Sequence, residues 1–154
     1  MIVTSWRITK RKHARNAFTG EGAREFGGRW NTPGTAVVYT AQHQSLAALE
    51  MLVHLDSSEL LHKYVLIAVE FDQSLITTVE PSELPRHWRS EPPPLEIRSI
   101  GDQWVLAGSS VVLQVPSALV PGESNYLLNP EHKDFAQLTF GKPVSFRFDP
   151  RLAE

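Results

Sequence analysis

An arginine, a tyrosine and a glutamate interrupt glycine-rich or apolar sequence in the first third of the chain: Arg29 in FGGRWN, Tyr39 in AVVYTA and Glu50 in SLAALEMLVHLD. A guanidinium presents planar donors to an anion. A carboxylate can stabilise positive charge developing on a sugar, and an aromatic ring can stack on a ligand. Each residue also has a purely structural reading: Arg29 as a donor stapling its own loop, Tyr39 as a core aromatic, and Glu50 as a half-exposed helix residue paired with His54 one turn on. On a helical wheel Glu50 falls beside Leu46, Leu49 and Val53, at the border of the face expected to be buried.

A second polar concentration, PSALVPGESNYLLNPEH, holds Ser117, Glu123, Ser124, Asn125, Asn129 and His132. These side chains can fix a ligand's hydroxyls or amide, and the same residue types make turns. Other chemistries lack their parts. The chain has no cysteine, so thiolate catalysis, thiolate metal sites and disulfides are excluded. Glu50 and His54 supply too few ligands for a metal without an H-E-x-x-H motif. There is no G-x-S-x-G elbow, P-loop or G-x-G-x-x-G turn.

The elements that must position these residues follow from periodicity. Residues 2–8 read as a strand, and residues 36–41 as a buried strand leading directly into a helix over 45–56, with Ser45 as N-cap and Leu46, Leu49 and Val53 as its core stripe. Residues 63–71 form a second strong strand pattern, with ITTVE a shorter one. The proline run 92–94 reads as a surface connection. IGDQWVLAGSS precedes a strand in VVLQVPSAL, then a loop in VPGESNYLLNPEH, and a closing strand pair in QLTF and VSFRF around GKP. This mixed order favours an α+β fold.

With 154 residues, of which 42% are hydrophobic and 21% charged, the chain has the size and composition of one domain. A net charge of -2 argues against direct nucleic-acid binding. The basic run from Arg7 to Arg15 reads as a solvated segment, or, in a third functional reading, as a DNA contact. No stretch approaches the roughly 20 apolar residues of a membrane span, and the N-terminus lacks a signal-peptide core. No membrane contact and a cytoplasmic location are the expectations.

GGRWN (27–31), VVYTA (37–41), ALEMLVH (48–54), IGDQW (100–104), VPSALVP (115–121) and NYLLNPEH (125–132), in this order, resemble the RES domain family, the toxin components of bacterial RES-Xre type II toxin-antitoxin systems. The resemblance implies a single domain over residues 1–154 with an ADP-ribosyltransferase-like fold, a mixed split sheet with flanking helices. It implies cleavage of the nicotinamide-ribose bond of NAD, by hydrolysis or phosphorolysis, with growth arrest by NAD depletion. A protein ADP-ribosyltransferase and a non-catalytic NAD- or partner-binding module are the alternatives. NAD is then the substrate, no cofactor is required, and an Xre-like antitoxin covers the site and carries any nucleic-acid contact.

Carried onto this sequence, the resemblance makes Glu50, Arg29, Tyr39 and Ser117 the catalytic set, with Ser124 the rival for the family serine. Trp30, Ser124 and Asn125 join Arg29, Tyr39 and Ser117 in binding NAD. The expected roles are Glu50 at the ribose, Arg29 at a phosphate, Tyr39 at the nicotinamide and Ser117 as a positioning donor. Extended transferases often carry a second acidic residue before the catalytic glutamate; Ala48 stands there in this chain, which favours water or phosphate as acceptor.

Overall fold

Two long runs rich in β-branched residues, IVTSWRITK and YVLIAVEFD, dominate the architecture. In the computed structural model, which describes residues 1–153, they form β1 (Ile2–Lys10) and β3 (Tyr64–Asp72), paired antiparallel from Ile2 opposite Asp72 to Lys10 opposite Tyr64. The other elements are α1 (Glu21–Phe26), β2 (Val38–Ala41), α2 (Gln44–Leu52), β4 (Ile76–Thr78), α3 (Leu95–Ala107), β5 (Val112–Pro116), β6 (Ser124–Leu128), β7 (Thr139–Phe140) and β8 (Val144–Phe146). They complete an 8-stranded sheet ordered β4-β5-β6-β2-β1-β3-β7, with β8 also on β3. Among the described residues, only the β4–β5 pair is parallel. No helix among the described residues is long and apolar enough to cross a membrane.

The sheet is divided. β2 pairs with β6 along its whole length, but it meets β1 at one residue pair, Trp6 opposite Ala41. Side chains take over where the ladder stops. Ser5 Oγ lies 2.8 Å from Thr40 Oγ1, which donates to Tyr126 O, and Arg7 Nη1 donates to Tyr39 O at 2.9 Å.

Apolar clusters cover both halves. Val38, Tyr126 and Leu128 pack with Val69 and Phe71 on one face. Under α3, Ile97 and Trp104 pack on Val37, Leu113, Val115 and Leu127, while Leu46 and Ala47 of α2 pack on Ile8, Ala41 and Tyr64. Burying a side chain such as Ile97 or Leu46 contributes about 1.5–3 kcal/mol.

Three sequence expectations are corrected. The stretch 120–132, expected as a loop, contains the central strand β6, because SNYLL gains ladder partners on both sides, from β2 and β5. The helix expected over 45–56 starts earlier, with His43 rather than Ser45 at its N-cap, and ends at Leu52. Leu49 and Val53 are 42% and 56% exposed rather than core, since α2 meets the sheet through Leu46 and Ala47.

Gly101 brings α3 hard against the loop before β2. A Cβ at this position would collide with the carbonyl oxygen of Trp30, whereas one at Gly22 in α1 would meet nothing. Gly101→Ala is therefore expected to destabilise the protein by about 1–3 kcal/mol or more, and Gly22→Ala to stabilise it by up to about 1 kcal/mol. Urea denaturation of both variants checks this; equal midpoints would contradict the close approach.

Candidate active site

Residues 27–35 leave α1 through Gly27, whose φ of 75° is one that glycine adopts without strain. Asn31, fully buried, then organises the loop, its Nδ2 donating to Ala23 O at 2.9 Å and Thr35 O at 3.1 Å. Tyr39 reaches up from β2, donating its hydroxyl to Asn31 Oδ1 at 2.6 Å and accepting from Trp30 N at 3.0 Å. At Gly28 a Cβ would sit 2.6 Å from the Tyr39 hydroxyl, so the bare backbone makes room for the phenol. From α3, Asp102 accepts from Thr32 N at 2.9 Å and Thr32 Oγ1 at 2.6 Å. Burial pushes the Tyr39 phenol above its ordinary range, with the Trp30 amide opposing; at neutral pH it stays protonated.

Glu50 faces this loop from α2. Burial raises its carboxyl above the ordinary glutamate value, while hydrogen bonding from Asn125 and the charges of His54 and Arg29 act in the opposite direction. Asn125 is buried opposite Ala41, and its Nδ2 also donates to Thr40 O at 3.2 Å. Strand register sets Tyr39, Ala41 and Asn125 on one face of the sheet. The fold thus gathers Glu50, Asn125, Arg29 and Tyr39.

Two guanidiniums serve this region differently. Arg29 Nη1 donates to Trp88 O at 3.1 Å and Ser90 O at 2.9 Å, and Nη2 pairs with Glu91 at 2.7 Å. Arg29 is therefore a staple, but one that ties its loop to residues 88–91 rather than closing the loop on itself. Arg7, absent from the candidates drawn from sequence, lies in the seam between β1 and β2. Apart from Tyr39 O it has few partners: its buried Nε has none, and burial lowers its pKa to about 10 with no carboxylate offsetting the effect. A charged residue inside the apolar run SWRIT was the available signal, but its neighbourhood with Lys10 to Arg15 made it read as part of a basic surface.

Three candidates are placed elsewhere. The Trp30 ring is 2% exposed and packs with Ile97 and Trp104, so it supports the loop rather than offering a surface to a ligand. Ser117 is buried, and its Oγ accepts from Leu119 N at 3.1 Å and Val120 N at 3.0 Å, closing the turn after β5. Ser124 lies on the opposite face of β6 from Asn125, because successive strand residues alternate. Its Oγ accepts from Gln114 Nε2 at 3.0 Å, in a groove shared with Thr78, Glu80 and Glu123.

The RES domain model matches residues 4–149. The chain belongs to the RES domain family. Toxin Res of Yersinia enterocolitica is 45% identical over 96% of this chain and 97% of its own length. The Prs ADP-ribosylating toxin of a Sphingobium species is 36% identical over 99% and 98%. Among solved structures, the Mycobacterium tuberculosis MbcT-MbcA toxin-antitoxin complex contains a chain that superposes with a TM-score of 0.79 at 21% identity, covering 99% of this chain and 87% of that one. The expected α+β, ADP-ribosyltransferase-like fold with its split mixed sheet is the fold observed in this RES domain.

A raised acid pKa means that folding favours the protonated form. Ionised Glu50 costs stability at neutral pH, and that cost vanishes once the carboxyl is protonated in both the folded and unfolded states. Glu50→Gln is expected to melt above wild type at pH 7, with the difference closing below about pH 4. Thermal melts across this range provide the check; a variant that melts lower at pH 7 would show the carboxylate to be net stabilising.

Proposed function

We propose that this chain is the toxin of a toxin-antitoxin pair, and that the site at the divided sheet binds NAD and breaks its nicotinamide-ribose bond. The observation that carries this reading is the desolvated Glu50 carboxyl, gathered with Asn125 and Arg29 beside the seam. The Res toxins among its relatives and the toxin-antitoxin complex of matching fold support the biological setting.

Heterolysis of the C1′–N1 bond sends the bonding pair onto the nicotinamide ring, cancelling its positive charge, and leaves an oxocarbenium-like ribose. Ionised Glu50 stabilises that cation electrostatically, and its partly desolvated setting strengthens the attraction. Asn125 orients the carboxylate. A water or phosphate oxygen then adds to C1′, and water gives up a proton as it does so.

The dinucleotide's phosphates need cations. Arg7 is suited because it lacks a carboxylate of its own, and Arg29 because its planar fork already lies near Glu50. Tyr39, a half-buried ring with a protonated hydroxyl, flanks the nicotinamide while holding the Trp30 amide and the Asn31 side chain. NAD is consumed as substrate and no cofactor is needed. An Xre-like antitoxin would cover the site and mediate any contact with DNA.

Transfer of ADP-ribose to a protein is the second reading, favoured by the name of the Sphingobium relative. Ala48, half-buried against the α2 core, provides no acidic group to activate such an acceptor.

Nicotinamide release by the purified chain, with and without inorganic phosphate, tests the proposal. Glu50→Gln is expected to lower kcat by at least about 100-fold. The acid limb of wild-type activity should lie above the ordinary glutamate value of about 4.3, because the carboxylate must be ionised and its pKa is raised. Saturable NAD binding with no release to water, phosphate or protein would overturn the reading in favour of a binding module.

Arg7→Met separates function from stability. Replacing a buried cation that lacks a counter-charge by an apolar chain is expected to leave the melting temperature unchanged or higher, while KM for NAD rises at least tenfold. A large loss of stability would instead make Arg7 a structural strut.

A further inference from the structure

Arg29 and Glu91 form an unequal pair. The Arg29 side chain is 17% exposed and Glu91 76%, with 2.7 Å between them. The cation is held in the site, while the anion arrives from solvent on a chain segment that can withdraw. An exposed carboxylate regains hydration on leaving, so the contact is weak on the Glu91 side. Arg29 left alone would be a largely buried cation in need of another anion.

The segment carrying Glu91 lies between the helical turn at Pro81–Glu83 and α3 and contributes no strand to the sheet. Arg29 grips it through Trp88 O and Ser90 O on one side. On the other, Arg89 Nε and Nη2 donate to Ala118 O at 3.2 and 3.0 Å. Ala118 belongs to the turn whose Val120 packs beside Leu46 and Ala47 of α2. Residues 88–91 therefore connect the loop of Arg29 to the turn that packs on α2. Trp88 anchors them against Trp30, with ring centroids 6.1 Å apart.

We propose that Glu91 is an internal counter-ion occupying the part of Arg29 that an anionic ligand takes, so that residues 88–91 act as a clasp displaced when a phosphate group binds. This rests on the reading of the site as one for an anionic dinucleotide. Displacing the clasp breaks no strand ladder, frees the Arg29 fork for bidentate contact, and moves a negative charge away from the ligand.

Inorganic pyrophosphate is the probe, with affinities measured by calorimetry. Glu91→Gln retains the side-chain length and an acceptor but removes the charge. It is expected to bind pyrophosphate about two- to fivefold more tightly than wild type, and the gain should vanish in an Arg29→Gln background. Pyrophosphate should also change the tryptophan fluorescence of wild type, and Trp88→Phe should remove that change. Unchanged or weaker binding by Glu91→Gln, an equal gain without Arg29, or no pyrophosphate binding by either protein would overturn the clasp.

NAD separates the two readings. Expected pyrophosphate behaviour with neither binding nor cleavage of NAD would leave the clasp standing and remove the proposed reaction. Nicotinamide release with pyrophosphate affinity indifferent to Glu91 would do the reverse.

Discussion

A guanidinium set into the seam of a sheet is the constraint on which the site depends. Arg7 occupies a position where β1 and β2 could have continued to pair, and it gives Tyr39 O a side-chain donor where the ladder has stopped. Buried charge without a carboxylate is costly, by several kcal/mol before compensation, so the arrangement cannot be explained as a source of stability. What it provides is a gap in the ladder. Full pairing of β1 with β2 would satisfy the backbone and close the seam; the Ser5–Thr40 hydroxyl pair and Arg7 hold the two halves together while leaving it divided.

Around that gap the fold uses rigid parts. Tyr39 shows how one residue can serve packing and position together: its ring is held from β2, its hydroxyl fixes Asn31 and Trp30, and its carbonyl receives Arg7. Asp102 and Gly101 press α3 onto the same loop from outside. Arg29 is thereby carried on an irregular segment that is nonetheless tied to β2 and α3. Such support suits a reaction that depends on placing charges at fixed positions.

Much of this scaffold was legible in the sequence. Continuous runs such as YVLIAVEF and VVYTA declare strands because β-branched and aromatic side chains suit a pleated, buried surface. SLAALEML declares a helix, but the wheel turned its buried face too far towards Leu49 and Val53; with Leu46 and Ala47 facing the sheet, Glu50 stands one turn above the buried pair. The glycine pair before Arg29 announced close backbone approach, and Gly28 against the Tyr39 hydroxyl is that approach. Less visible was β6, because a short apolar run between Pro-Gly and Asn-Pro turns carries no period of its own. Its strand state comes from neighbours distant in sequence.

By itself, then, the sequence determined the element types with strong local periods and the family to which the chain belongs. Tertiary structure decided which polar residues share a site. Ser124 and Asn125 are adjacent in the chain, yet strand alternation sends them to opposite faces. Trp30 sits beside Arg29 but is buried under α3, and Ser117 is spent on a turn. Arg7 enters only because the sheet divides at its strand. Local propensity reports how a segment folds, whereas the face a side chain joins, and the charge it meets there, depend on register and packing between segments far apart in sequence.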